Sequence, residues 1–264
     1  MTASPSVFPS LSAVVATLRA AGCVFAEDEA RLLLAEAREP AALAELVARR
    51  AAGTPLEHVL GWTAFHGLRI VTEPGVFVPR RRTEFLVDEA ARLAPPGSVV
   101  ADLCCGTGAV GLALATALGA TRLHATDIEP AAVRCARRNL ARVGGHVHEG
   151  DLDAPLPAAL RGRIGVLTAN VPYVPTAEVA LLPPEAREHE PAIALDGGAD
   201  GLAVVRRVSA LAPRWLVPGG RLLVETSERQ APVAAETFRG DGLEPAVTTS
   251  AELGATVVVG TLPA

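Results

Sequence analysis

From Ser98 to the carboxyl terminus, short apolar strands alternate with helices, and this alternation predicts an α/β fold with a largely parallel sheet covered by helices on both faces. Two further observations point the same way. A glycine-rich turn, Gly106-Thr107-Gly108, joins the first of these strands to its helix, and the next two strands each end on a carboxylate, Asp127 and Asp151. Open sheets of this kind bind ligands at the carboxyl ends of their strands, which is where all three features fall.

Each element follows from its own residues. Before the α/β region, Leu11, Val14, Val15 and Leu18 fall at helical spacing, and Leu43, Leu46 and Val47 repeat part of the stripe after Pro40. They predict a small helical module. Thr54-Pro55 signals a further short helix with proline at its first position, and Gly61 stops it. Short β-type runs around Gly67 and Pro74-Gly75 form a connector, so the domain boundary falls near residue 75, with residues 1–75 as one unit and 76–264 as the other. Val99 to Leu103 is a buried strand, Ala109 to Leu118 an apolar helix, Leu123 to Thr126 a strand, and Pro130 to Val143 an amphipathic helix. Gly165 to Ala169 is strand again. A helix around Leu202 to Leu211, a strand from Arg221 to Glu225, a helix from near Gln230 and two β-rich stretches, around 246–249 and 256–260, complete the pattern.

Composition narrows the function. The chain has 264 residues, 50% of them hydrophobic, enough for a full core and a second, smaller module. Its net charge is −5 and every basic residue is an arginine, the longest run being Arg80-Arg81-Arg82. An acidic chain without a broad positive face argues against nucleic-acid binding. Cys23, Cys104, Cys105 and Cys135 follow neither a paired disulfide spacing nor a CxxC metal spacing, so they read as reduced thiols and no metal site is expected. The amino terminus lacks a basic region of the targeting type, and no apolar run approaches the ~18 residues of a membrane span, so a cytoplasmic protein is expected.

The chemistry gathers at the strand ends. Glycines at a strand-to-helix turn let backbone approach a ligand, and the helix start presents unpaired N–H groups; a nucleotide-like ligand is implied. The full GxGxxG pattern of dinucleotide sites is absent, because Ala109, Val110 and Gly111 follow Gly108. Asp127 stands near the spacing of about 20 residues at which an acidic side chain meets a ribose. After the fourth strand comes Asn170-Val171-Pro172-Tyr173, holding the one tyrosine of the chain. This stretch itself offers no strong general base. It suits a substrate nitrogen that must be held and turned: the lone pair of an amide NH2 is delocalised into its carbonyl, and acceptance of its two N–H groups by the Asn170 side-chain oxygen and the Val171 carbonyl would aim that lone pair at an electrophile. Tyr173 would lie against the flat face of the amide or ring, and Pro172 would stiffen the loop.

Taken in order, DLCCGTG, TDIEP, GDL and NVPY resemble the class I S-adenosylmethionine-dependent methyltransferases, and more closely the HemK or PrmC group of protein-(glutamine-N5) methyltransferases. The likeness extends to TPLEHVLGWTAFHGL from Thr54, VFVPRRRTEFLV from Val76 and EPAIALDGGADGL from Glu190. It implies a Rossmann-like, seven-stranded sheet ending in an antiparallel hairpin, with a small N-terminal helical domain that recognises substrate. S-adenosylmethionine would be the cofactor, lying against Asp102, Cys104, Cys105, Gly106, Thr107 and Gly108, with Asp127 on the ribose and Ile128 beside it. Asp151 and Leu152 would flank the adenine, Phe77 would pack near the methyl group, and Asn170, Val171, Pro172 and Tyr173 would form the catalytic loop, Asn170 also bordering the cofactor. A glutamine of a peptide chain release factor would be the acceptor. Four departures accompany the likeness: Val171 stands where the family usually has proline, Arg81 where its PRPxTE segment has proline, Cys104 where glycine is common, and ETSERQ from Glu225 where an EIG-type stretch is usual. These leave a second acceptor class open, a small molecule such as an indole, another nitrogen heterocycle or a cyclic peptide.

Overall fold

The structure, a computed structural model, describes residues 9–119 and 122–264. The expectation about the amino terminus therefore lies partly outside the described residues. Four helices open the described chain: α1 (Leu11–Ala20), α2 (Ala26–Glu36), α3 (Pro40–Ala51) and α4 (Leu56–Leu60). Their apolar stripes close on one another, so that Val14, Leu18, Leu33 and Leu43 form a core separate from that of the sheet. Pro55 stands one residue ahead of the helix start expected for it, and Gly61 ends α4 in the left-handed conformation. A hairpin follows, β1 (Trp62–Phe65) and β2 (Leu68–Val71). It bridges the two units: Trp62 donates its indole N–H to Glu36 of α2, while Phe65 and Ile70 join the core beneath the sheet.

The remaining elements are α5 (Glu84–Leu93), β3 (Val99–Leu103), α6 (Ala109–Leu118), β4 (Arg122–Asp127), α7 (Pro130–Leu140), β5 (His146–Glu149), β6 (Ile164–Ala169), α8 (Pro184–His189), α9 (Ala203–Trp215), β7 (Leu216–Thr226), α10 (Ala231–Gly240), β8 (Glu244–Ser250) and β9 (Ala255–Thr261). Seven strands form one sheet in the order β5-β4-β3-β6-β7-β9-β8, with β9 antiparallel to both neighbours. Two cores cover its faces, one under α5 and α6 and one under α9 and α10. The predicted α/β class and the seven-stranded sheet with its final antiparallel hairpin are thus observed. Three boundaries differ from expectation. β5 stops at Glu149, so Asp151 stands two residues past the strand it was expected to end, after Gly150 at φ 155°. α9 continues past Pro213 to Trp215, because its buried face, Val208, Leu211, Ala212 and Trp215, holds the last turn against the sheet. β7 starts at Leu216, with an irregularity in its pairing to β6 that the shorter estimate left outside the strand.

The chain winds outward from β3 in one direction through β4 and β5, and in the other through β6 and β7. The crevice where the order reverses lies between the carboxyl ends of β3 and β6, and it places the glycine turn beside the NVPY loop.

Candidate active site

One cavity of about 500 Å³ runs along these strand ends. At one end, the turn after β3 is built largely from backbone. Cys104 has φ 54°, a left-handed conformation unusual for a residue with a side chain, which gives a physical reason for glycine at that position in the related pattern. Gly108 starts α6 at φ 77°, and an added Cβ would lie 3.2 Å from Ala136 and Leu140 of α7, so the turn is pressed against its neighbour helix. By contrast a Cβ on Gly106 would meet no protein atom within 4 Å, so this side of the turn faces open space along the cavity.

Two carboxylates brace the turn. Asp102 is fully buried, and its two oxygens accept from the Thr168 hydroxyl at 2.9 Å and the Gly111 N–H at 3.0 Å. Burial pushes its carboxyl up to about 7 against the pull of those two bonds. Asp127, at the end of β4, accepts from Gly106 N–H at 2.8 Å and Glu129 N–H at 2.9 Å. Burial raises its carboxyl too, and each oxygen keeps a second lone-pair direction for a ligand hydroxyl. Ile128, 45% exposed, and buried Leu152 offer apolar surface at the same end. Asp151 also lines the cavity, in an ion pair with Arg207 at 2.6 Å. Cys104 and Cys105 have thiols pushed up by burial first and by Asp127 next, which makes them packing groups and not nucleophiles.

The other end is made of side chains from distant segments. Asn170 follows β6, and its side-chain nitrogen lies 3.5 Å from the Thr83 hydroxyl, so its oxygen is left without a hydrogen-bond donor among the described residues. Val171 is 2% exposed and packs into the sheet core with Leu152 and Leu202, so burial holds the loop where proline would have held it covalently. Tyr173 is braced at its hydroxyl by Arg82 and by Glu225 at 3.3 Å; burial first, then Glu225, pushes the phenol up to about 12 despite the guanidinium. Arg82 also donates to Glu225 at 3.0 Å. The backbone of the loop is fixed from behind: Gln230 donates to the Tyr173 carbonyl and to the Asp200 carbonyl, both at 2.9 Å. Phe77 lines the cavity under Arg80, whose guanidinium lies 4.9 Å from the ring centre and pairs with buried Glu190.

A family described as the methyltransferase small domain matches residues 67–174, the span from the hairpin through the glycine turn to the NVPY loop. A release factor glutamine methyltransferase of Mycolicibacterium smegmatis is 41% identical over 251 residues, covering 88% of this chain and 89% of that protein. Another, of Geobacter sulfurreducens, is also 41% identical and covers 84% of this chain and 78% of its own. The chain belongs to the release factor glutamine methyltransferase family. It is accordingly a methyltransferase. A methyltransferase of Pyrococcus furiosus shares the fold, with a TM-score of 0.57 at 16% identity over 75% of this chain and 90% of that one.

For a methyltransferase of this family the cofactor is S-adenosylmethionine, and the first end of the cavity fits it: a carboxylate with spare acceptor directions, apolar walls, and a glycine whose missing Cβ leaves backbone open to a ligand. Of the expected site residues, all but Gly108 line this one cavity, Asp151, Leu152 and Phe77 included; Gly108 is turned against α7, and Asp102 lines the cavity with both oxygens already engaged by the protein. Sequence reasoning missed Arg82, Thr83, Glu225 and Gln230. A signal existed for the first, since Arg82 belongs to the one run of three arginines in an acidic chain. Glu225 supplies the carboxylate that the NVPY stretch itself lacks.

Proposed function

We propose that this protein transfers a methyl group from S-adenosylmethionine to the side-chain amide nitrogen of a glutamine in a peptide chain release factor. One observation carries the acceptor chemistry: the Asn170 amide has its nitrogen turned to Thr83, so the carbonyl oxygen is the end left for substrate. That oxygen and the Val171 carbonyl each accept one N–H of the glutamine amide. The nitrogen is then held with its lone pair facing the methyl group, and orientation replaces the deprotonation that an amide resists. When bound, the cofactor supplies an electrophilic methyl on a positively charged sulfur. Positive charge moves to the nitrogen as the bond forms, and the two carbonyl oxygens, already pointed at its N–H groups, stabilise it there. Tyr173 packs against the acceptor, Phe77 and Val171 exclude water, and the nitrogen loses its proton after transfer.

In this reading Asp127 holds the ribose, Ile128 and Leu152 cover the adenine with Asp151 beside them, and the turn from Cys104 to Gly108 lies against the methionine part, with Asp102 supporting it from below. Residues 1–75 recognise the protein partner and 76–264 carry the transfer. Val24 and Phe25, at 82% and 69% exposure in the turn between α1 and α2, give the helical unit an apolar contact surface of the kind a protein partner covers. Incubation of purified release factor with the enzyme and S-adenosylmethionine tests the reading. Intact mass should rise by one methyl group, and fragmentation should place it on a glutamine; an unchanged mass refutes the proposed acceptor.

A further inference from the structure

Strand register brings a further residue to the acceptor end. β6 and β7 run parallel with Ala169 opposite Val224, so the next positions, Asn170 and Glu225, stand side by side where the strands reach the cavity. Matching positions on neighbouring parallel strands put their side chains on one face. Glu225 is 2% exposed. Its Oε1 accepts from Arg82 and from the Tyr173 hydroxyl, while its Oε2 has no donor among the described residues.

The other buried carboxylates behave differently. Glu29 gives both oxygens to Arg50, Glu89 both to Arg92, Asp102 one each to Thr168 and Gly111, and Glu190 both to Arg80. A buried polar atom left without a partner is unfavourable. The Thr126 and Ser209 hydroxyls share that state, but Glu225 is the one of the three that lines the cavity. Glu225 is the exception among these carboxylates, and it is the one placed next to Asn170.

We propose that Glu225 binds substrate directly, with Oε2 accepting the main-chain N–H of the glutamine whose side chain is methylated. The proposal rests on the glutamine reading given above. Asn170 and Val171 account for both N–H groups of the side-chain amide, which leaves the main-chain N–H as the remaining donor of that residue. The spacing agrees: neighbouring strands lie about 4.8 Å apart, and the two nitrogens of a glutamine are separated by roughly 5–6 Å. Arg82 and Tyr173 then act as positioning residues, fixing the carboxylate so that one oxygen is turned to the substrate. An indole or another nitrogen heterocycle lacks a main-chain N–H, so Glu225 favours a peptide acceptor over those.

Glu225→Gln separates this role from a structural one. Arg82 and Tyr173 donate to the Oε1 side, so a glutamine keeps its oxygen there and turns its NH2 toward the substrate, converting an acceptor into a donor while the brace survives. Binding of a glutamine peptide is measured calorimetrically in the presence of S-adenosylhomocysteine, together with a peptide methylated at the glutamine main-chain nitrogen. The variant should bind the plain peptide about tenfold or more weakly, with S-adenosylhomocysteine affinity within about twofold of wild type. The methylated peptide should bind wild type about tenfold more weakly and lose nothing further in the variant. Wild-type affinity for the plain peptide in the variant, or equal losses in both proteins on peptide methylation, overturns the proposal. If the variant does not fold, undiminished wild-type binding of the methylated peptide overturns it equally. A wild type that binds the plain peptide and methylates release factor leaves the glutamine reading standing in each of those cases, whereas one that does neither overturns both.

Discussion

At the ends of β3 and β4 the cavity wall is backbone held by nearby carboxylates; at the ends of β6 and β7 it is side chain held by side chain. Gly106 and Glu129 reach Asp127 over 21 and 2 residues, and Gly111 reaches Asp102 over 9. Arg82 reaches Tyr173 over 91 residues and Glu225 over 143, and Asn170 reaches Thr83 over 87. Apart from the Thr168 hydroxyl, which reaches Asp102 over 66 residues, the first wall needs only one strand-turn-helix unit and its neighbour. The second exists only when the connector, the NVPY loop and β7 have all docked, and it freezes several long side chains in doing so. A wall of the first kind suits a ligand that never changes, because every residue type has the same backbone. One of the second kind suits an acceptor, whose fit can be altered one side chain at a time.

Substitutions can break this division. The largest effect is expected at the acceptor end: Asn170→Ala removes one of two oxygens aimed at the substrate nitrogen and should lower turnover by about 10²–10³-fold. Calorimetry should find its cofactor affinity nearly unchanged; loss of both together would erase the division. Gly201→Ala probes the rear support. Its Cβ would lie 2.2 Å from the Tyr173 carbonyl oxygen, so the loop must move, and a shift of this order costs turnover about 10²-fold. Kinetics on a glutamine peptide should show the loss while cofactor affinity stays near wild type.

The cofactor end should respond in the opposite sense. Asp127→Ala should weaken S-adenosylmethionine binding by about 1–3 kcal/mol, since it removes a charge-assisted acceptor, and unchanged affinity by calorimetry would remove Asp127 from the site. The smallest effect concerns Asp102, whose carboxyl is raised from 3.8 to about 7 by burial. Between those values the unfolded chain ionises while the folded one stays protonated, so this group's contribution to stability falls as pH rises and levels off above the folded value. Relative to Asp102→Asn, the wild type should lose about 1 kcal/mol between about pH 5 and about pH 6. Denaturant titrations at the two pH values check the sign; a gap that widens in favour of wild type would contradict it.

The same division explains what the sequence makes legible. The cofactor wall is local, so Gly106, Gly108 and Asp127 can be read from a strand, a turn and the next strand. Asn170 and Tyr173 are visible because they share one loop, but their supports are not: nothing near Glu225 in sequence reveals that it stands beside Asn170, which depends on the register of β6 against β7. Gln230 is hidden for the same reason, being 57 residues from the carbonyl it holds. Local reasoning also sees only part of what acts on Val171. Replacing proline by valine suggests a looser loop, at about 0.4–1 kcal/mol, but burial in the sheet core supplies a constraint that only the folded chain has.

A crystal structure of the protein with S-adenosylhomocysteine and a glutamine peptide tests the two-ended site most directly. The ribose hydroxyls should lie within hydrogen-bond distance of Asp127, and the glutamine amide nitrogen within the same distance of the Asn170 side-chain oxygen and the Val171 carbonyl. A glutamine bound elsewhere, or a cofactor whose ribose lies against Asn170, would contradict the division of the cavity into a backbone-built cofactor end and a side-chain-built acceptor end.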